Sequence, residues 1–177
     1  MQAVFTMYLA TSELIISDNF ERGDQLPVVF GVVAAFFGLA ALINSRLVEK
    51  YGIDTMVDFA TRIELVLGPI LVIIAITGGG RPNFWIFMPV LTVMLSLFML
   101  LLPNLNTAAL VPVGHIAGSA SAVTSGLRIG IGSLIASGLN GFIKDSVTPF
   151  ALTVCVMCFA MATAIWFTRR GLDDRLA

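Results

Sequence analysis

Apolar residues along this chain do not alternate with polar ones; they come in blocks broken by short polar turns. Residues 66–76 and 84–102 contain no charged side chain. Such runs fit neither the period of two of a half-buried strand nor the single apolar stripe of a soluble helix, and a helix apolar on every side belongs in a membrane. About 17–25 predominantly apolar residues cross a bilayer as a helix. With Gly, Pro and the polar turns as punctuation, six spans are predicted, over residues 1–17, 27–43, 56–77, 84–111, 118–143 and 147–168. The first is short. The acidic turn DNFERGDQ follows it, the breaker GGGRPN closes the third, and Pro103 and Asn104 are expected to kink the fourth.

Composition excludes a soluble globular protein. Of 177 residues 58% are hydrophobic and 12% charged, with a mean hydropathy of +0.96, where a soluble domain is about 25% charged. In lipid the backbone must pair within helices or in a closed barrel. A barrel needs segments of about ten residues alternating apolar and polar, and the runs above do not alternate. The expected fold is all-α, a polytopic membrane bundle of six helices forming one domain over residues 1–177. A net charge of -1 offers no basic face to nucleic acid. The opening MQAVFTMYLATSELII lacks the basic region of a signal peptide, its first Lys or Arg being Arg22, and reads as mature structure. Cys155 and Cys158 share a helix face inside an apolar run, where packing is the expected role.

Cytoplasmic loops hold the excess of Lys and Arg. With the N-terminus inside, Arg46, Lys50, Arg62, Arg169, Arg170 and Arg175 fall on the cytoplasmic side, against Arg22, Arg81 and Lys144 outside. Both termini are therefore expected in the cytoplasm.

The turn after the second span reads Asn44-Ser-Arg-Leu-Val-Glu-Lys-Tyr-Gly52, with two bases, one acid and a terminal glycine. It serves equally as a helix C-terminus with positive-inside charges. Its spacing also resembles the loop motif G-x-L-a-D-r-x-G-r-k of the major facilitator superfamily. Ser45 stands at the first glycine, followed by Arg46; Leu47 takes the leucine, Glu49 the acid, Lys50 the first base and Gly52 the second glycine. Ser for Gly, Glu for Asp, and Ile53-Asp54 in place of two bases resemble the degenerate copy that follows the eighth helix there. A second stretch, Pro103-Asn104, then HIAGSASA over 115–122 and SGLRIGIG over 125–132, is similar to the tenth-to-eleventh helix region of the bicyclomycin- and chloramphenicol-resistance type of drug:proton antiporter, with Gly114 replacing the proline of P-x-x-A-G-x-A-S. The resemblance covers nearly the whole chain, as the C-terminal six helices of a twelve-helix transporter.

The resemblance implies two three-helix repeats of inverted topology and secondary transport in a cell (inner or plasma) membrane. The expected activity is export of small, largely hydrophobic compounds against inward proton flow. It also implies a partner, an N-terminal six-helix half or a second copy of the chain, in addition to the lipid bilayer. The competing reading is a truncated, non-transporting scaffold or inactive fragment.

Particular residues carry these expectations. Gly118, Ala122, Gly126, Gly130 and Gly138 recur every four or eight residues in the fifth span, a small-residue stripe that another helix can approach closely. Arg128 lies within the same span, where a cation costs about 3 kcal/mol on insertion scales. It is expected to face a partner or a wet cavity, in a substrate- or coupling-linked role. Glu13, beside Ser12 and Tyr8 in the first span, is its candidate partner. Asp58, Arg62 and Glu64 are placed in the first turns of the third span, near the cytoplasmic surface, where pairing along the helix is the simpler role. His115, the one histidine, has no Cys, Asp or Glu within ten residues, so no metal site is expected. No H-E-x-x-H, G-x-S-x-G or phosphate loop occurs, and neither enzyme activity nor a cofactor is expected.

Overall fold

The computed structural model describes residues 2–110, 114, 116–143 and 145–176, and the backbone alone for residues 2, 108, 140 and 169–176. His115 and Lys144 lie outside the described residues. Among those described, the chain is all-α with no strand. Helix α1 spans Gln2–Glu13 and continues as a π-helical turn over Leu14–Asn19. A 3₁₀ turn at Gly23–Gln25 leads into α2, Leu26–Tyr51. The remaining helices are α3 (Ile53–Thr77), α4 (Phe84–Leu110), α5 (Ala117–Ile143) and α6 (Thr148–Leu176).

Five of these, α2 to α6, are long and apolar enough to cross a membrane. The first predicted span falls short of that length as regular α-helix, because its hydrogen bonding widens to the π pattern as the polar Ser17-Asp18-Asn19 approaches. The predicted boundary of α5 is met within one residue, whereas α2 runs eight residues beyond the predicted 43. The expected loop after the second span is therefore helix up to Tyr51. Gly52 alone separates α2 from α3: its φ of 78° lies where only glycine sits without strain, and its N–H donates to Val48 O at 2.9 Å.

Side-chain registers give the helix directions. An added Cβ on Gly132 would meet Ala3 and Thr6, and Asn19 reaches Ile143, so α1 and α5 run parallel. Asn44 pairs with Asn104 while Phe84 lies near Val28, so α2 and α4 run parallel as well. Gly68 abuts Cys155 and Glu64 meets Cys158, so α3 and α6 are antiparallel. Exchanging the first three helices for the last three maps the α1·α5 contact onto α4·α2, α2·α3 onto α5·α6, and α3·α6 onto itself. The α3·α4 contact has no such counterpart among the major pairs.

The core lies along α1, α3, α4 and α6, where Tyr8, Leu71, Phe87, Leu91, Phe98 and Phe150 are each at most 2% exposed. A smaller cluster of Met56, Val57, Ala60, Leu100 and Leu101 closes the opposite end of α3 and α4. At the other end the turns are knotted together. Val147 N–H donates to Gly80 O at 2.8 Å, Asn19 Nδ2 donates to Ile143 O, and Ser146 Oγ accepts from Thr148 N at 3.1 Å to cap α6.

Candidate functional site

Helix α4 carries two amides on opposite sides of its final turns, and each meets a neighbouring helix. Asn104 and Asn106 are two residues apart, about 200° around a helix. Toward α2, Asn104 Nδ2 donates to Asn44 Oδ1 at 2.8 Å and also to Leu100 O at 3.0 Å. Toward α5, Asn106 Oδ1 accepts from Arg128 Nη1. Asn44 and Asn104 are buried, while Arg128 and Asn106 are half-buried. Pro103 removes one backbone hydrogen bond from α4 here, yet the helix continues to Leu110.

Arg128 does not meet Glu13. Gly132 is level with Ala3 and Thr6, so Arg128, about one turn earlier on the parallel α5, lies level with the very start of α1. Glu13 lies ten residues past Ala3, about 15 Å further along the axis, and is exposed. The expected pair thus fails on register. The amide of Asn106, about one turn before the end of α4, supplies the acceptor and holds the guanidinium toward that end.

The other α1 residues named from sequence are interior. Tyr8 is 1% exposed, its ring 6.1 Å from that of Phe30 in α2, and its hydroxyl has no hydrogen-bond partner. Ser12 is buried, with Oγ donating to Leu9 O, and Thr11 donates to Met7 O. The loop-motif residues Ser45, Arg46, Glu49 and Lys50 are exposed on the last two turns of α2, with Lys50 Nζ 5.1 Å from the Tyr51 ring centroid. Leu47 turns inward against the small cluster.

The small-residue stripe is open. A Cβ added at Gly118, Gly126, Gly130 or Gly138 would meet nothing within 4 Å, and all four, with Ala122, are exposed. No described helix of this chain uses the stripe. The close approach on α5 occurs instead at Gly132, on another face, where a Cβ would lie 2.7 Å from Ala3 O.

An apolar groove of about 330 Å³ lies between the starts of α2 and α4, lined by Val28, Val32, Phe36, Trp85 and Met88 among others, with Gln25 and Thr92 as its polar members. The Arg22 guanidinium lies 4.9 Å from the ring centroid of Phe84 and 5.6 Å from that of Trp85, two of the residues that line it. None of the residues singled out from sequence lines it.

Sequence reasoning missed Glu64. Placed near the cytoplasmic surface, it is instead fully buried, eleven residues and about 16 Å along α3. Its Oε2 accepts a hydrogen bond from Cys158 Sγ at 3.5 Å, and its Oε1 has no partner. The signal was present: Val57, Ala60, Thr61, Gly68, Leu71 and Ala75 mark the buried face of α3, and Glu64 falls on it while the exposed Arg62 does not. Among the described residues no cluster of His, Cys, Asp and Glu could hold a metal ion.

No family model matches the chain, and no solved structure matches at a significant level. The chain is similar to a bicyclomycin resistance protein homolog of Haemophilus influenzae, 25% identical over 154 residues. The match takes in 86% of this chain and 38% of that relative, so the chain spans well under half the length of the protein it resembles.

Proposed function

We propose that this chain is one half of a secondary exporter of small hydrophobic compounds, of the bicyclomycin-resistance type within the major facilitator superfamily, driven by inward proton flow. The observation that carries the reading is the similarity over 86% of the chain to a bicyclomycin resistance protein homolog. Helix lengths support a multi-pass membrane protein. The contact pattern, mapped largely onto itself when the two helix triplets are exchanged, fits an inverted repeat. We place the domain in a cell membrane with both termini in the cytoplasm, α1 and its π turn forming a sixth span.

In this reading the missing wall is supplied by an N-terminal six-helix half. Alternating access rocks two such halves about a site between them, and the open faces of α2 and α5 are the surfaces available to meet one. Arg128, held by Asn106, is a fixed cation at the edge of that surface, and the apolar groove between α2 and α4 suits a hydrophobic cargo.

The test is dye efflux from vesicles carrying the chain, with and without a co-expressed N-terminal half and with and without a proton gradient. Gradient-driven efflux only with the supplied half supports the reading. Efflux by the chain at monomer mass would overturn the half-transporter, and none in any combination would favour a non-transporting scaffold. Cysteines placed at Ser45 and Gly79 check the orientation: an impermeant reagent should label them from opposite sides, Gly79→Cys from outside.

A further inference from the structure

A carboxyl group in the middle of a helix bundle, away from water, needs either a cation or a proton. Glu64 is 0% exposed and sits near the centre of α3. An uncompensated carboxylate in such a place costs several kcal/mol even after relaxation, and a buried charge is tolerated when paired. No side-chain cation among the described residues faces it, and the one positive charge that reaches it is the chain's N-terminal ammonium, whose effect is smaller than that of burial. The described residues of α4 contain no ionisable side chain, and in α6 the ionisable groups before the terminal Arg169 are Cys155 and Cys158. On α3 itself Arg62 is exposed and Asp58 half-buried, both off the buried face. The neighbours on that face are Thr61, buried with its hydroxyl unpartnered, and Gly68, which lets α6 close in until an added Cβ would lie 3.4 Å from Cys155 Cα.

We propose that Glu64 is a proton-binding site whose occupancy is tied to the packing of α3 against α6. With the helices closed, the group is a neutral carboxylic acid: Oε2 accepts the Cys158 S–H and the proton resides on Oε1, the oxygen that no donor reaches. Ionisation requires water, and water reaches Glu64 only when α3 and α6 part. Proton release and helix separation are then one event. The assignment of the proton stands independently of transport; where it joins the export reading it adds a proton store inside the bundle, between α3 and α6.

Infrared spectroscopy of the full chain in lipid vesicles tests it without any transport assay, so a failed efflux experiment and a failed assignment remain separate results. At neutral pH the spectrum should hold a protonated carboxyl C=O band that is lost in Glu64→Gln, with the Cys158 S–H stretch moved in the same variant. Should Glu64→Gln fail to insert, Cys158→Ala keeps the acid and should shift the C=O band as its S–H donor disappears. The link to packing is read by a lock. In Gly68→Cys the new Cβ would lie 3.7 Å from Cys155 Cβ, inside the range a disulfide needs. Oxidising that variant should slow deuterium exchange of the Glu64 proton by at least about tenfold, reversibly on reduction. A carboxylate in place of the acid at neutral pH, or exchange indifferent to the lock, would overturn the proposal.

Discussion

Helices α2 and α5 are buried to the same extent, 11% of each spanning window, against 56% for α4. Yet α2 has a mean hydropathy of 2.5 and α5 of 1.3. The contrast shows that apolarity does not drive a helix inward in a bilayer, because lipid tails are as apolar as leucine. Helix α2 is the most apolar of the five and still among the least enclosed, with Val28, Val32, Leu39 and Leu42 facing outward. Helix α5 turns Ser119, Ser133, Ser137 and its open glycines outward, a surface lipid serves poorly. Enclosure follows place in the bundle instead: α4, the most enclosed, packs large side chains such as Phe87, Leu91 and Phe98 into the core.

Four substitutions would break or sharpen this contrast. The largest effect is expected at the contact α5 does make. Gly132→Val puts branched carbon where Ala3 O and Thr6 already stand, and should cost about 3 kcal/mol, read as a lower midpoint of unfolding in mixed detergent micelles. Phe87→Ala, fully buried on α4, should cost about 2 kcal/mol, mostly as cavity, because unfolding within a membrane returns little transfer energy. By the same measurement Phe36→Ala, exposed on α2, should change stability by less than about 0.5 kcal/mol. Gly126→Ala should stabilise the isolated chain by up to about 1 kcal/mol through helix propensity, the opposite sign to Gly132. If it also impairs activity restored by a supplied half, the stripe is where that half docks.

The amide pair is read as a coupling rather than a single loss. A double-mutant cycle of Asn44→Leu with Asn104→Leu should return a coupling near 0.6 kcal/mol, the usual value for an interhelical hydrogen bond in lipid.

What the sequence made legible follows from the same physics. Hydropathy locates α3 to α6 because each holds a long apolar run between polar turns, with Arg128 the one charge inside that of α5, which begins one residue before the predicted 118. It cuts α2 short because Arg46, Glu49 and Lys50 read as loop, although all three are compatible with helix and only Gly52 breaks it. It paired Arg128 with Glu13 because charges suggest partners but carry no register; that register is set by Gly132 against Ala3. Glu64 was read as superficial by counting from a helix start three residues too late. Its position on the stripe of Ala60 and Gly68 held the better answer.

The knot of turns at Asn19, Gly80, Ile143 and Val147 has a mechanical consequence. Three inter-helix turns are fastened at one end of the bundle, while the opposite end holds together α2 and α3 through a single glycine. A 27-residue helix such as α4 or α5 is about 40 Å long, and a rod of that length pinned at one end magnifies small rotations. Tilting it by about 10° leaves the knot in place and sweeps the far tip through roughly 7 Å, more than the width of a water molecule. Displacement is therefore read out at the end that carries Asn106 and Gly52, and the fastened end is the fulcrum.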